Sequence, residues 1–110
     1  MTKVYVTQET AFDFTTAEAY GEVEFLTHRD LSSVRSSIAN THTLREINQK
    51  LKSIDFDADY LVITGSPYIA AAVFMLIGRK GIKKVNILRW DNRDRKYTPM
   101  EIALPTAVTA

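Results

Sequence analysis

Residues 63–76 read ITGSPYIAAAVFML, where one apolar run breaks at Gly65-Ser66-Pro67 and a second begins at once. Ser66 is a favoured helix N-cap, Pro67 is pre-set for the first helical position, and Gly65 permits the backbone that a tight strand exit requires. Before the break, Tyr60-Leu61-Val62-Ile63 runs apolar without alternation, as suits a central strand covered on both faces. After it, the spacing predicts a helix from Pro67 to about Arg79, closed by Gly81, and a second strand over Lys84 to Trp90. Strand, helix and strand within about 30 residues make a βαβ unit, whose two strands must run parallel.

The rest of the chain fits an α/β layer around that unit. Lys3 to Thr7 alternates and is β-branched and aromatic, so it reads as a first strand. Thr15-Thr16-Ala17-Glu18 offers a capping box for a short helix that Gly21 closes. Residues 21–27 alternate again, with Glu22 and Glu24 facing one way and Val23 and Phe25 the other. From His28 to Asn40 four serines spoil any period, and a surface connection with room for one helical turn is expected. Leu44, Ile47, Leu51 and Ile54 fall at helical spacing, with Thr43 and Glu46 placed as a second capping box. Lys96 to Ala103 reads as a last strand that Pro99 drives to an edge, joined to its predecessor by the loop 91–95. The expected fold class is therefore α/β: one small domain over 1–104 with a mixed, partly parallel sheet, a βαβ unit at 60–90, a C-terminal hairpin, and a loose tail at 105–110.

Composition narrows the function classes. With 45% hydrophobic and 25% charged residues the chain has the balance of a folded globular protein. It contains no cysteine, so disulfides, thiolate metal sites and a cysteine nucleophile are excluded. His28 and His42 are too few and too far apart to suggest a metal centre, and Asp55, Asp57 and Asp59 read more simply as a solvated turn than as a metal cluster. The longest apolar stretch, Ile69 to Ile77, falls short of the roughly 20 residues that a membrane helix needs. A cytoplasmic setting is the default expectation. No catalytic set emerges, so the protein is expected not to be an enzyme and to use no cofactor; a nucleotide-processing enzyme would need a base or metal that the residues do not supply.

Charge is uneven. Residues 1–78 hold six Lys or Arg against ten Asp or Glu, whereas 79–97 hold eight against two. A basic edge of that size suits a compact anion better than the length of a nucleic acid. Two chain segments converge on it. In a parallel sheet the helix after a strand starts at the carboxyl edge, where its free amides attract phosphate, and Thr64, Gly65, Ser66 and Tyr68 lie at that start. Arg89, Trp90, Asn92, Arg93 and Arg95 leave the neighbouring strand at the same edge, bringing guanidinium forks, an indole face and an amide. These nine residues are the expected ligand-binding set, with no metal among them. Two plainer readings stand beside it: the TGSP turn is complete as an ordinary helix cap, and Arg89 and Arg93 can pair with Asp91 and Asp94 while Trp90 packs on the core.

At KVYVTQE (3–9), FDFTTAEAYGEVEFLT (12–27), LVITGSPY (61–68) and LRWDNRDRKY (88–97) the chain resembles a group of small bacteriophage proteins. Within that group it is similar to the phage anti-Thoeris sponges, which form oligomers and sequester cyclic ADP-ribose isomers made by bacterial TIR-domain defence enzymes. The resemblance implies a homo-oligomeric anti-defence protein that binds a cyclic nucleotide-type signal without cleaving it. The alternative is a phage inhibitor that contacts a host protein or nucleic acid through its basic C-terminal segment. The all-round apolar character of the helix after Pro67 also suggests cover from another subunit.

Overall fold

A computed structural model describes residues 2–33 and 37–105. Five strands form one mixed sheet in the order β2-β1-β3-β4-β5, with β1 at Lys3–Val6, β2 at Glu22–Phe25, β3 at Tyr60–Val62, β4 at Lys84–Asp91 and β5 at Lys96–Ala103. The first four run parallel and β5 is antiparallel to β4. The βαβ unit is present as read: β3 leads into a helix at Pro67–Arg79 (α2, the second α-helix among the described residues), and β4 returns beside β3 with Leu61 opposite Ile87. Helix α1, Ile38–Leu51, connects β2 to β3, and a 3-10 helical turn at Thr15–Tyr20 connects β1 to β2.

The two faces of the sheet are covered unequally. On one face, Ile47 and Leu51 of α1 and Ile69, Val73, Leu76 and Ile77 of α2 bury against Tyr5, Leu61, Val85 and Ile87. On the other, only Phe14, Ala17 and the rings around them cover Val4, Val6, Val62, Leu88 and Tyr97. A single short helical turn cannot shield that much sheet, so aromatic side chains do it. Phe12, Phe14, Phe25, Trp90 and Tyr97 meet edge to face with centroids 5.0–5.5 Å apart.

Three local expectations need correction. Helix α1 starts at Ile38, not at Thr43: the Ser37 hydroxyl accepts the Asn40 amide, while Thr43 is buried inside the helix and donates back to the Ala39 carbonyl. The serines that blur the pattern thus include the true cap, and residues 34–36 of that connection lie outside the described residues. At the first short helix Phe14 holds the cap position without a side-chain cap bond, and in place of a Thr15–Glu18 box the Asp13 carboxylate just before it accepts the Thr15 amide and hydroxyl. The turn before β3 is not simply solvated. Asp59 is buried, and its two carboxylate oxygens accept the Lys3 and Asp55 amides at 2.9 Å each, tying the start of β1 to the approach to β3. The tail expected to be loose falls, beyond Pro105, outside the described residues.

β5 is an edge strand, and Pro99 sits where it does least harm. The Leu104 amide donates to the Lys83 carbonyl at 2.8 Å, which continues the β4–β5 ladder by one pair. Hydrogen-bonded and open pairs alternate in an antiparallel ladder, so residues 98, 100, 102 and 104 turn their amides to β4. Pro99, with no amide, takes an outward slot.

Candidate functional site

The carboxyl edge is stepped. β1 ends at Val6 and β3 at Val62, which are register partners, whereas β4 continues to Asp91 with β5 alone beside it. The β4–β5 ribbon therefore projects past the sheet, and a cavity of about 560 Å³ opens in the corner between it and the end of β3. Because β3 has stopped there, the corner is lined from both faces. Phe12, Phe14, Leu88, Trp90 and Tyr97 contribute from the aromatic side, and Ile63, Ile87, Arg89, Met100 and Ile102 from the helix side. A second cavity of about 550 Å³ lies against the hairpin and is lined by Arg89, Trp90, Asp91, Asn92, Arg93 and Thr98. Arg89 and Trp90 belong to both walls.

The hairpin turn fixes this second cavity. Asp91 Oδ1 accepts the amides of Arg93 and Asp94, and Arg95 adopts a left-handed backbone (φ 52°) that turns the chain into β5. Trp90 Nε1 donates to Asn92 Oδ1 at 2.7 Å, which orients both the indole and the amide. Among the described residues, ion pairs join Lys3 to Glu24 and Lys84 to Glu101, and a hydrogen bond joins His28 Nδ1 to Glu9 Oε1; no ion pair involves Arg89, Arg93 or Arg95. The Asp91 carboxylate serves the turn instead of an arginine. Trp90, in contrast, does pack as the plainer reading expects, against Phe12 and Tyr97. Burial raises the Tyr97 phenol above its ordinary pKa, with the nearby Asp13 carboxylate adding to the effect.

The TGSP turn is at the same edge but is differently employed. The Thr7 hydroxyl accepts the Thr64 amide at 3.0 Å and donates to the Thr64 carbonyl at 2.9 Å, so β1 and β3 are stitched together just beyond their last ladder pair. Gln8 then reaches across: its Oε1 accepts the Ser66 amide at 2.6 Å and its Nε2 donates to the Arg29 carbonyl at 3.0 Å. Ser66 Oγ accepts the Tyr68 amide. Two of the orphan amides at the start of α2 are thus satisfied within the chain. Gly65 has a left-handed φ of 82°, and a Cβ there would run into Gln8 Oε1.

Of the nine residues expected at the site, Thr64, Arg89 and Trp90 line the larger cavity, and Arg89, Trp90, Asn92 and Arg93 line the smaller. Gly65, Ser66, Tyr68 and Arg95 line neither; Tyr68 projects into solvent from the first turn of α2. Sequence reasoning missed Phe12, Phe14, Ile63, Met100 and Ile102. The pair Phe12 and Phe14 in an otherwise polar segment was the available signal for an aromatic cover. Among the described residues no cluster of His, Asp or Glu is arranged to hold a metal ion, and no helix is long and apolar enough to cross a membrane.

A family model described as Phage Pam3 gp32-like protein matches residues 2–104. Neither a curated protein nor a solved structure matches the chain.

Proposed function

The chain belongs to the Phage Pam3 gp32-like protein family, and from that premise we propose that it is an anti-defence binding protein that captures a nucleotide-derived immune signal and holds it intact. The stepped carboxyl edge is the binding site in this reading, and a cyclic ADP-ribose isomer is the ligand that the resemblance to the anti-Thoeris sponges implies. The observation that carries the reading is Arg89: an exposed guanidinium with no acidic partner among the described residues, on the shared wall of two cavities, beside the only tryptophan. An arginine so placed is free to fork onto a phosphate while a neighbouring ring system takes a base. A sponge works by affinity alone, so it needs no base, nucleophile or metal.

The test is depletion and recovery. Protein in excess over a cyclic ADP-ribose isomer should remove it from solution, and heat should return it unchanged by mass. A hydrolysed product would make the protein an enzyme, and an undepleted ligand would remove the sponge reading.

Self-association belongs to the same proposal. Tyr68 and Met75 are 72% and 71% exposed on one stripe of α2, an apolar surface that a second copy can cover. Light scattering should give a mass above the 12.5 kDa of one chain, and Met75→Glu should return it to that value; a wild-type monomer would remove this part.

A second reading rests on Met100 and Ile102 of β5 and Leu104 just after it, all more than 40% exposed and spaced at every second residue along the strand that leaves the basic hairpin. That surface suits direct contact with an acidic host protein. Binding of small nucleotides with a micromolar or better constant favours the sponge; their indifference, with salt-sensitive capture of a host protein, favours the inhibitor.

A further inference from the structure

We infer that the two cavities divide one ligand between them, the larger taking the face of a heterocyclic ring and the smaller a single phosphate, so that the identity of the base is not read. This deepens the nucleotide-binding proposal and rests on it.

The larger cavity is walled mainly by carbon. Its directional groups are the Arg89 guanidinium, the Thr64 hydroxyl and the Tyr97 hydroxyl. The Trp90 N–H on that wall is already given to Asn92, and both backbone polar groups of Thr64 to Thr7. No carboxylate or carboxamide side chain lines it, so no side chain there can make the paired donor and acceptor contact with which an Asn or Gln reads a base edge, and the Arg89 fork is given to the phosphate in this arrangement. A hydroxyl rotates to donate or accept as required. Ring faces, in contrast, are well served: Phe12, Trp90, Met100 and Ile102 offer aromatic and polarizable surface, and Phe12 is 41% exposed at the mouth.

The smaller cavity has the opposite chemistry. Asp91 Oδ1 is engaged by two turn amides and Asn92 Oδ1 by the indole. What they leave is a set of donors: the Arg89 and Arg93 guanidiniums, Asn92 Nδ2 and the Thr98 hydroxyl. Such a set fits the oxygens of a phosphate, with two guanidiniums outweighing the one Asp91 carboxylate beside them. Arg89, in both walls, is the waist at which ring and phosphate join.

The experiment is calorimetric titration at fixed salt of wild type, Arg93→Gln and Ile102→Trp with adenosine monophosphate, inosine monophosphate, adenosine, inorganic phosphate and a cyclic ADP-ribose isomer, each variant checked for an unchanged circular dichroism spectrum. The two monophosphates should bind within about tenfold of each other, since a pocket with no carboxylate or carboxamide to pair with a base edge discriminates weakly. Adenosine and phosphate should each bind at least about tenfold more weakly than the monophosphate, having lost one chamber's contacts. Arg93→Gln should weaken the monophosphates and leave adenosine unchanged; Ile102→Trp, which fills the ring chamber, should weaken adenosine and leave phosphate unchanged. Inosine monophosphate weaker than adenosine monophosphate by about a hundredfold would overturn the division while nucleotide binding stood. So would loss of adenosine in Arg93→Gln, or binding of the cyclic ligand with none of the monophosphate. If no nucleotide bound at all, the proposed function would fall with it.

Discussion

The side-chain carbonyl of Gln8 accepts the backbone amide of Ser66 at 2.6 Å, across 58 positions of sequence. In open parallel sheets of order 2-1-3-4-5 the ligand crevice is expected between β1 and β3, where the connections part to opposite faces. Here the Gln8 carboxamide, with the Thr7–Thr64 pair behind it, occupies that crevice. The open space lies one strand further on, between β3 and the overhanging hairpin. The basic charge has moved with it, to Arg89 and Arg93.

Removing the Gln8 side chain should destabilise the fold without touching the cavities. Gln8→Ala strands the Ser66 amide and the Arg29 carbonyl, at a cost of about 1–3 kcal/mol. Gly65→Ala should lower stability as well, because the new methyl meets Gln8 Oε1 and the backbone is left-handed. Urea midpoints at constant slope measure both. Wild-type stability in Gly65→Ala would count against both the left-handed backbone at residue 65 and the Gln8 contact.

Arg89→Gln tests the site and little else. The side chain is exposed and makes no ion pair among the described residues, so unfolding free energy should stay within about 0.5 kcal/mol of wild type. Affinity for a nucleotide ligand should fall by about tenfold or more, the worth of a charge-assisted pair of bonds. Unchanged affinity by titration calorimetry would exclude Arg89 from binding.

Stability should decline in alkali. Burial raises the Tyr5 and Tyr97 phenols above 10.0, so the folded state keeps protons that the unfolded chain releases. Where the unfolded state binds fewer protons, unfolding becomes easier as pH rises; the contribution is whole below about pH 10 and is lost through the raised folded values. The urea midpoint should therefore be level up to that pH and fall beyond it. Tyr97→Phe, which keeps the ring, should make the fall shallower, and an identical alkaline limb would count against this cause.

Pro99→Val should make the free edge adhesive. It restores an outward amide in the middle of an eight-residue edge strand, supplying the donor whose absence protects such edges from pairing with another chain. Light scattering over a concentration series should show larger species for the variant than for wild type. Equal masses would indicate that the exposed charges of β5 already suffice.

The βαβ unit was legible because its punctuation is local: Gly65, Ser66, Pro67 and Gly81 each act on their own backbone. The same holds for Pro99 and the edge. What escaped was non-local. Nothing around Gln8 announces a partner at Ser66, and nothing in Asp59 tells that Lys3 will bring it an amide. Ser37 was hidden among other serines, so the stronger pattern at Thr43 drew the helix start six residues too late. For the site, residue chemistry picked out Thr64, Arg89, Trp90, Asn92 and Arg93, while the cavity's carbon walls come from four separate segments with no shared period.

Trp90 is the chain's sole indole, and it stands where the two cavities meet. The protein consequently carries its own optical gauge: emission excited near the red edge reports from that corner alone, with no label and no background from elsewhere in the fold. Whatever guest the corner admits, its arrival can be watched in unmodified material by colour shift or quenching.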